Sequence, residues 1–184
     1  MEKLKIVAIV GSLRKDSFNR QLALAAQNVI GERAEFELLH YADVPFLDQD
    51  IEYPTPEAVR RAREAVKAAD GVWFFTPEYN HSFPGVLKNL IDWLSRPISQ
   101  TERQVLGGKP AAISGISPGM GGTVCAQDHL VMLLSLLNMR VMNLPRLTIP
   151  NATQQLDAQG RLALTSSAPY LEKQANAFLN FIAK

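Results

Sequence analysis

Short apolar runs recur along this chain of 184 residues and are separated by longer amphipathic stretches. Residues 4–10, 72–76 and 110–115 are mostly apolar, a pattern typical of parallel strands that are covered on both faces. Residues 34–40 alternate between apolar and acidic side chains, which predicts a more exposed strand. A further strand is expected within residues 140–149. The pattern therefore predicts five strands in all.

The stretches between these runs place apolar residues at helical spacing. That spacing predicts helices over residues 19–30, 56–69, 86–95, 123–138 and 169–183. Strands that alternate with helices predict an α/β fold, in which a doubly wound parallel sheet carries helices on both faces. Five strands favour the flavodoxin-like order 2-1-3-4-5. The length favours a single domain over residues 1–184.

Composition and charge exclude several classes of partner. The net charge is only +1, so bulk electrostatics attract neither nucleic acid nor a membrane surface. No apolar run reaches membrane-spanning length, and because the N-terminus leads directly into a predicted strand, no signal peptide is expected. The single cysteine, Cys125, excludes an internal disulfide and suits a reducing compartment. A cytoplasmic protein is therefore expected.

Donor-rich residues follow the first predicted strand directly. Residues 11–19 read Gly-Ser-Leu-Arg-Lys-Asp-Ser-Phe-Asn and lead into the first helix. The N–H groups of such a turn and of a helix N-terminus together form an anion site. Ser12, Ser17 and Asn19 add neutral donors, and Arg14 adds a planar charged fork that suits phosphate oxygens. We therefore predict that this loop holds a phosphate.

The sequence motifs that the loop lacks limit the kind of phosphate ligand. It contains neither Gly-x-Gly-x-x-Gly nor Gly-x-x-x-x-Gly-Lys-Ser/Thr, so dinucleotide and P-loop sites are disfavoured. A terminal phosphomonoester suits the loop better. The alternative is an ordinary helix start, in which Ser17 or Asp16 is the N-cap and Arg14 points to solvent.

Two other loops with unusual chemistry are predicted at the same edge of the sheet. Residues 77–85 follow the third strand, and the glycine-rich residues 116–122 follow the fourth. In a sheet of this order, ligands bind beyond the carboxyl ends of the strands, where strands one and three diverge. The three loops meet there, which favours the phosphate site over the ordinary helix start.

The chain resembles the NADPH-dependent FMN reductase family and, within it, the bacterial chromate and quinone reductases. One matching segment is Gly11-Ser12-Leu13-Arg14 with Ser17 and Asn19. The other is Pro77-Glu78-Tyr79-Asn80-x-Ser82-x-Pro84-Gly85-x-Leu87-Lys88-Asn89-x-Ile91-Asp92-Trp93. The resemblance covers nearly the whole domain and is weakest after Pro150. The sequence departs from it after Gly122, where Thr-Val-Cys-Ala stands and an arginine is expected.

The resemblance implies FMN bound at the switch between strands one and three, and NADPH or NADH as electron donor. It implies that electrons pass to quinones, chromate, azo dyes or free flavin, with no side chain named as catalytic. The implied cofactor-binding residues are Ser12, Arg14, Ser17, Phe18 and Asn19 in the phosphate loop, Pro77, Glu78, Tyr79 and Asn80 along the ribityl chain and ring edge, and Ser117 and Gly119 at the ring.

Other functions and an assembly remain open at this stage. A flavodoxin-type electron carrier, a dehydrogenase that binds a dinucleotide in the first loop and a non-enzymatic FMN-binding regulator are the alternatives. The wide apolar faces predicted for residues 86–95 and 123–138 favour a homodimer or a dimer of dimers, although a thick core would also explain them.

Three side chains of the second loop and of the helix predicted over residues 123–138 have competing interpretations. Glu78 either caps the helix that follows it or orients a neighbouring group, or it contacts the flavin. His81, with no placed partner, is interpreted as a bystander. Cys125 is expected to be a buried, inert thiol. The scattered aspartates of residues 41–56 lack a calcium-binding pattern and are interpreted as solvated, so no metal site is expected.

Overall fold

Strands and helices alternate along residues 3–184, the part of the chain that the computed structural model describes. The strands are β1 (Leu4–Val10), β2 (Ala34–Leu38), β3 (Gly71–Phe75), β4 (Pro110–Ile116), β5 (Arg140–Val141) and β6 (Leu147–Ile149). The helices are α1 (Phe18–Ile30), α2 (Glu57–Ala68), α3 (Gly85–Leu94), α4 (Val124–Leu136) and α5 (Ala168–Ile182). The predicted helices and the first four predicted strands are confirmed, with ends that differ by at most two residues. Within residues 3–184, no helix combines the length and apolar character needed to cross a bilayer.

The strands form one parallel sheet in the order β2-β1-β3-β4-β5, and β6 also pairs with β4. Side chains of α1 and α5 pack with one face of the sheet, and those of α2, α3 and α4 pack with the other. Each face therefore has its own apolar core, as expected for a doubly wound sheet. The predicted α/β class and strand order are confirmed.

The prediction of a single fifth strand is wrong, because two short strands share that edge of β4. Ala111 pairs with Val141, whereas Ser114 pairs with Leu147, so the register advances by three residues between the two strands. Pro145 lies in the intervening segment and has no N–H to donate to the ladder. The inserted residues therefore leave the sheet, and Leu144 is exposed.

The prediction that α3 offers an apolar face to a partner is wrong, because its large apolar side chains are buried within this chain. They are Leu87, Leu90, Ile91, Trp93 and Leu94. The indole N–H of Trp93 donates to the carbonyl oxygen of Pro45 at 2.8 Å, so the loop before α2 covers the outer side of α3. Helix α4 differs, since Met132 and Leu136 remain exposed.

Candidate functional site

Three loops come together at the carboxyl edge of β1, β3 and β4. Backbone hydrogen bonds continue the sheet just beyond the strands, from Gly11 N–H to the Phe75 carbonyl at 2.8 Å and from Thr76 N–H to the Ser114 carbonyl at 2.9 Å. Ser117 N–H likewise donates to the Ile149 carbonyl at 3.0 Å. The loops that begin at these residues therefore leave the sheet side by side, where strands β1 and β3 diverge.

The first loop, residues 11–17, presents backbone donors that no protein group uses. Within residues 3–184, the N–H groups of Ser12, Leu13, Lys15 and Asp16 donate to no acceptor. Ser17 is the N-cap of α1, and its Oγ accepts from Arg20 N–H at 3.4 Å, which leaves its hydroxyl proton free to donate. The loop thus combines unused N–H groups, a hydroxyl and a helix N-terminus, as an anion site requires.

Arg14 is the cation of this loop. Its guanidinium lies 5.5 Å from the centroid of the Phe18 ring, a cation–π distance that orients the side chain over the start of α1. Among residues 3–184, Arg14 forms no ion pair with a carboxylate. The charge is therefore available to an anionic ligand.

Asn19 connects the first loop to the third. Its side chain is 2% exposed; Nδ2 donates to the Ile116 carbonyl at 2.9 Å, and Oδ1 accepts from Ile116 N–H at 3.1 Å. These bonds join the first turn of α1 to the last residue of β4, and β3 lies between β1 and β4 in the sheet. Asn19 thus has a structural role, and its contact with a phosphate stays a prediction.

The second loop, residues 76–84, contains a tight turn. Tyr79 and Ser82 exchange backbone hydrogen bonds of 2.9 and 3.0 Å, and the two residues between them, Asn80 and His81, have φ of 52° and 61°. Positive φ at both central positions is the geometry of a two-residue hairpin turn. The turn leaves the Tyr79 ring, Asn80 and His81 at the surface, while Pro77 is buried beneath them.

The Glu78 carboxylate binds the start of α4 rather than that of α3. Its Oε2 accepts from Ala126 N–H at 3.0 Å, within the first turn of α4, where a negative charge is favourable. Its Oε1 lies 3.8 Å from Nδ1 of His81. The prediction that Glu78 caps α3, the helix that follows it, is therefore wrong, because the carboxylate caps α4 instead. The contact of Glu78 with flavin stays a prediction.

The third loop, residues 117–123, forms an exposed arch. The Ser117 hydroxyl donates to the Gly122 carbonyl at 2.5 Å, and the Gly119 carbonyl accepts from Asn151 N–H at 3.1 Å. In the described part of the chain, the N–H groups of Met120, Gly121 and Thr123 have no acceptor. Met120 and Gly121 are exposed whereas Thr123 is buried, so the N–H groups of Met120 and Gly121, rather than the Ser117 hydroxyl, are free for a ligand.

Gly115 allows the second and third loops to approach closely. A Cβ at this position would lie 2.1 Å from Oγ1 of Thr123 and 2.4 Å from the carbonyl oxygen of Thr76. No side chain fits these distances, so β4 requires glycine here. The sequence shows a glycine near the end of the strand, but not which atoms crowd it.

A cavity of about 340 Å³ borders the outer side of the first loop, with Ser12, Leu13 and Arg14 on one wall and Tyr41 on another. The Tyr41 hydroxyl donates to the Val10 carbonyl at 2.6 Å. Burial raises the pKa of Tyr41 far above its ordinary value, so this side chain remains a neutral donor that holds the wall in place. A larger cavity, about 840 Å³, lies away from the three loops and is lined by Tyr53 and residues 97–104.

Cys125 corrects a prediction and reveals a contact that the sequence did not indicate. Its side chain is partly exposed rather than buried, at the second position of α4. Ligand-type atoms of Glu78, His81 and Cys125 lie within 4.8 Å of one another. Cys125 and the other two are far apart in the sequence, so only the fold shows this proximity.

Comparison with known proteins identifies relatives over nearly the full length. The family described as NADPH-dependent FMN reductase matches residues 4–154. A 2-hydroxy-1,4-benzoquinone reductase from Burkholderia sp is 41% identical over 169 residues, which cover 92% of this chain and 91% of the relative. A quinone reductase from Escherichia coli K12 is 38% identical, with 100% and 97% coverage. The solved structure of FerB, a flavoenzyme NAD(P)H:(acceptor) oxidoreductase from Paracoccus denitrificans, has a TM-score of 0.88 at 36% identity and covers 98% of this chain and 97% of its own.

Proposed function

The chain belongs to the NADPH-dependent FMN reductase family, and on this premise we propose that it uses bound FMN to reduce quinones with electrons from NAD(P)H. Two relatives that match more than nine-tenths of the chain are named as reductases of quinones. The observation that carries the proposal is the set of unused N–H groups beside Arg14, located at the switch between β1 and β3.

The residues of the first loop suit the phosphate of FMN. A phosphate monoester carries charged oxygens that accept several hydrogen bonds, and this loop offers N–H groups, the Ser17 hydroxyl and the Arg14 guanidinium. Ser12 and Phe18 complete the loop surface, and Asn19 fixes its position relative to β4. We assign these residues to the phosphate end of the cofactor.

The other two loops suit the ring end. When bound, FMN supplies the two-electron chemistry, taking a hydride from NAD(P)H and passing electrons to the quinone. Tyr79 and Asn80, held above the buried Pro77, offer a partly apolar surface, while the exposed Met120 and Gly121 offer N–H groups that would stabilise negative charge on a ligand near the start of α4. The protein contributes position and electrostatics and needs no acid or base of its own.

The acceptor class within this proposal is quinones. Chromate, azo dyes and free flavin are further candidates, because an accessible reduced flavin can deliver electrons to many small oxidants.

The main alternative is a flavodoxin-type electron carrier. Carriers of that type are usually acidic so that they can dock on basic partners, whereas this chain has a net charge of +1. The cytoplasmic setting expected from the single cysteine stays a prediction.

An anaerobic absorbance experiment tests the proposed function. The purified protein is expected to be yellow, to bleach within seconds on addition of NADPH or NADH, and to recover its colour with benzoquinone. Parallel additions of the two donors rank them. A yellow protein that neither nucleotide bleaches would indicate the electron carrier instead. A colourless protein that takes up no added FMN would contradict the assignment of the first loop.

We also propose a homodimer formed through α4. Met132 and Leu136 are 64% and 82% exposed and lie four residues apart on this helix, so that they form one apolar patch that would otherwise contact water. Size-exclusion chromatography with light scattering is expected to give twice the chain mass at micromolar concentration, or four times for a dimer of dimers. Met132→Glu should shift the mass toward the monomer, whereas Leu24→Glu, at an exposed site on α1, should not.

A further inference from the structure

Three metal-ligating side chains meet beside the second and third loops. Glu78 and His81 belong to the turn after β3, and Cys125 belongs to the first turn of α4. A carboxylate oxygen, an imidazole nitrogen and a thiol sulfur lie within 4.8 Å of one another. No other group of three such side chains occurs within residues 3–184.

The carboxylate of this cluster is already oriented by the protein. Oε2 of Glu78 accepts from Ala126 N–H at 3.0 Å, which leaves Oε1 directed at His81, 3.8 Å from Nδ1. Ligating carboxylates in metal sites commonly have such a second hydrogen bond, which fixes the free oxygen for the metal. The side chain is only partly exposed, so its position is restricted before any ligand arrives.

We propose that Glu78, His81 and Cys125 bind a divalent transition-metal ion of the zinc type. A thiolate together with an imidazole and a carboxylate is a ligand set that Zn²⁺ accepts, whereas Mg²⁺ and Ca²⁺ require oxygen ligands. The carboxylate and the thiolate neutralise the ion, so the positive end of the α4 dipole does not prevent binding. Three protein ligands leave the fourth tetrahedral position for water or a small ligand.

The three ligand atoms must move slightly closer together to bind zinc, and the turn that carries His81 allows this movement. Zinc bonds of about 2.0–2.3 Å place the ligand atoms of a tetrahedral site roughly 3.3–3.8 Å apart. The observed limit of 4.8 Å therefore demands a movement of about 1.5 Å at most. His81 is exposed and lies on the two-residue turn, so its ring can move while Glu78 and Cys125 keep their places.

Cys125 and His129 on α4 are a second pair of side chains that could bind a metal ion, and the experiment must distinguish this pair from the cluster of three. His129 is one helical turn after Cys125 and is exposed, so the two side chains share a helix face. It does not belong to the cluster of three. His129 is therefore a matched control: it has the same chemistry, it is a neighbour of the same cysteine, and the proposal gives it no role.

The single cysteine makes a direct experiment possible. The reaction of Cys125 with a thiol-specific disulfide reagent is followed while Zn²⁺ is titrated into the purified full-length protein. We expect one Zn²⁺ per chain to protect the thiol and a chelator to restore its reactivity. Loss of a ligand should weaken binding more than about 100-fold, because even outer-shell changes cost about 10–100-fold. His81→Asn, which suits positive φ, should abolish protection, whereas His129→Asn should retain it.

Two results would overturn the proposal: thiol reactivity that is indifferent to Zn²⁺, or protection that His129→Asn removes and His81→Asn keeps. If His81→Asn fails to fold, as judged by circular dichroism, calorimetric Zn²⁺ titration of protein alkylated at Cys125 replaces it. Alkylation is then expected to eliminate binding, and binding at unchanged affinity would overturn the proposal. The three ligands lie outside the first loop, which carries the assignment of the FMN phosphate, so this test can fail while the proposed function stands.

Discussion

Replacing Gly115 with alanine is expected to lower the free energy of unfolding by about 3 kcal/mol or more, the upper end of what overpacking a buried site costs. The added Cβ would lie 2.1 Å from Oγ1 of Thr123 and 2.4 Å from the Thr76 carbonyl oxygen. The Thr76 oxygen belongs to the backbone, and Thr76 N–H is itself bonded to Ser114. Neither strand can yield without breaking the hydrogen bonds that join β3 to β4.

Urea denaturation followed by circular dichroism measures this effect, and two controls locate its cause. Gly85→Ala adds a methyl group where nothing lies within 4 Å, at the first residue of α3, and should be neutral or stabilise by up to about 1 kcal/mol. The double variant Gly115→Ala with Thr123→Ala removes the nearest atom but leaves the carbonyl. It should remain destabilised, and full recovery of stability would show that the backbone contact is not limiting.

Replacing Arg14 with alanine is expected to weaken FMN binding by about 10- to 100-fold, since a hydrogen bond to a charged group contributes about 1.5–3 kcal/mol. The proposal assigns Arg14 to the phosphate, so the loss should be confined to ligands that carry one. Riboflavin has the same ring and ribityl chain without the phosphate, and its affinity should be unchanged. Fluorescence titration of flavin-free protein with the two ligands gives both constants.

Lys15→Ala is the matched control for Arg14, because it removes one positive charge from the adjacent exposed position. A general electrostatic effect would weaken FMN binding similarly in both variants, whereas a specific contact weakens it mainly in Arg14→Ala. Equal losses for FMN and riboflavin in Arg14→Ala would indicate that the residue shapes the loop rather than binds the phosphate.

The alternation of strands and helices was predictable because each element carries its own signal. Strand β1 was predicted at its observed limits, since a buried parallel strand is apolar at most of its positions. The interruption between β5 and β6 was not predictable. Pro145 is visible in the sequence, but the pairing with β4 decides the register. The residues between β5 and β6 do not themselves indicate that three of them are inserted relative to β4.

The side-chain contacts between loops could not be predicted from the sequence either. The sequence placed Glu78 beside a helix start, and the fold decided that this helix is α4 rather than α3. Likewise, the apolar residues of α3 are equally compatible with an interface and with a core. The structure decides for the core because Asn89 and Trp93 both donate to the Pro45 carbonyl at 2.8 Å and hold the preceding loop over the helix.

The paired hydrogen bonds between Asn19 and Ile116 have a consequence for how a ligand binds. They fasten α1 to β4 across the intervening strand, so the first and third loops have a common rigid support. A cofactor that spans both loops finds them at a fixed separation, and its arrival need not order one relative to the other. The entropic cost of association is correspondingly reduced.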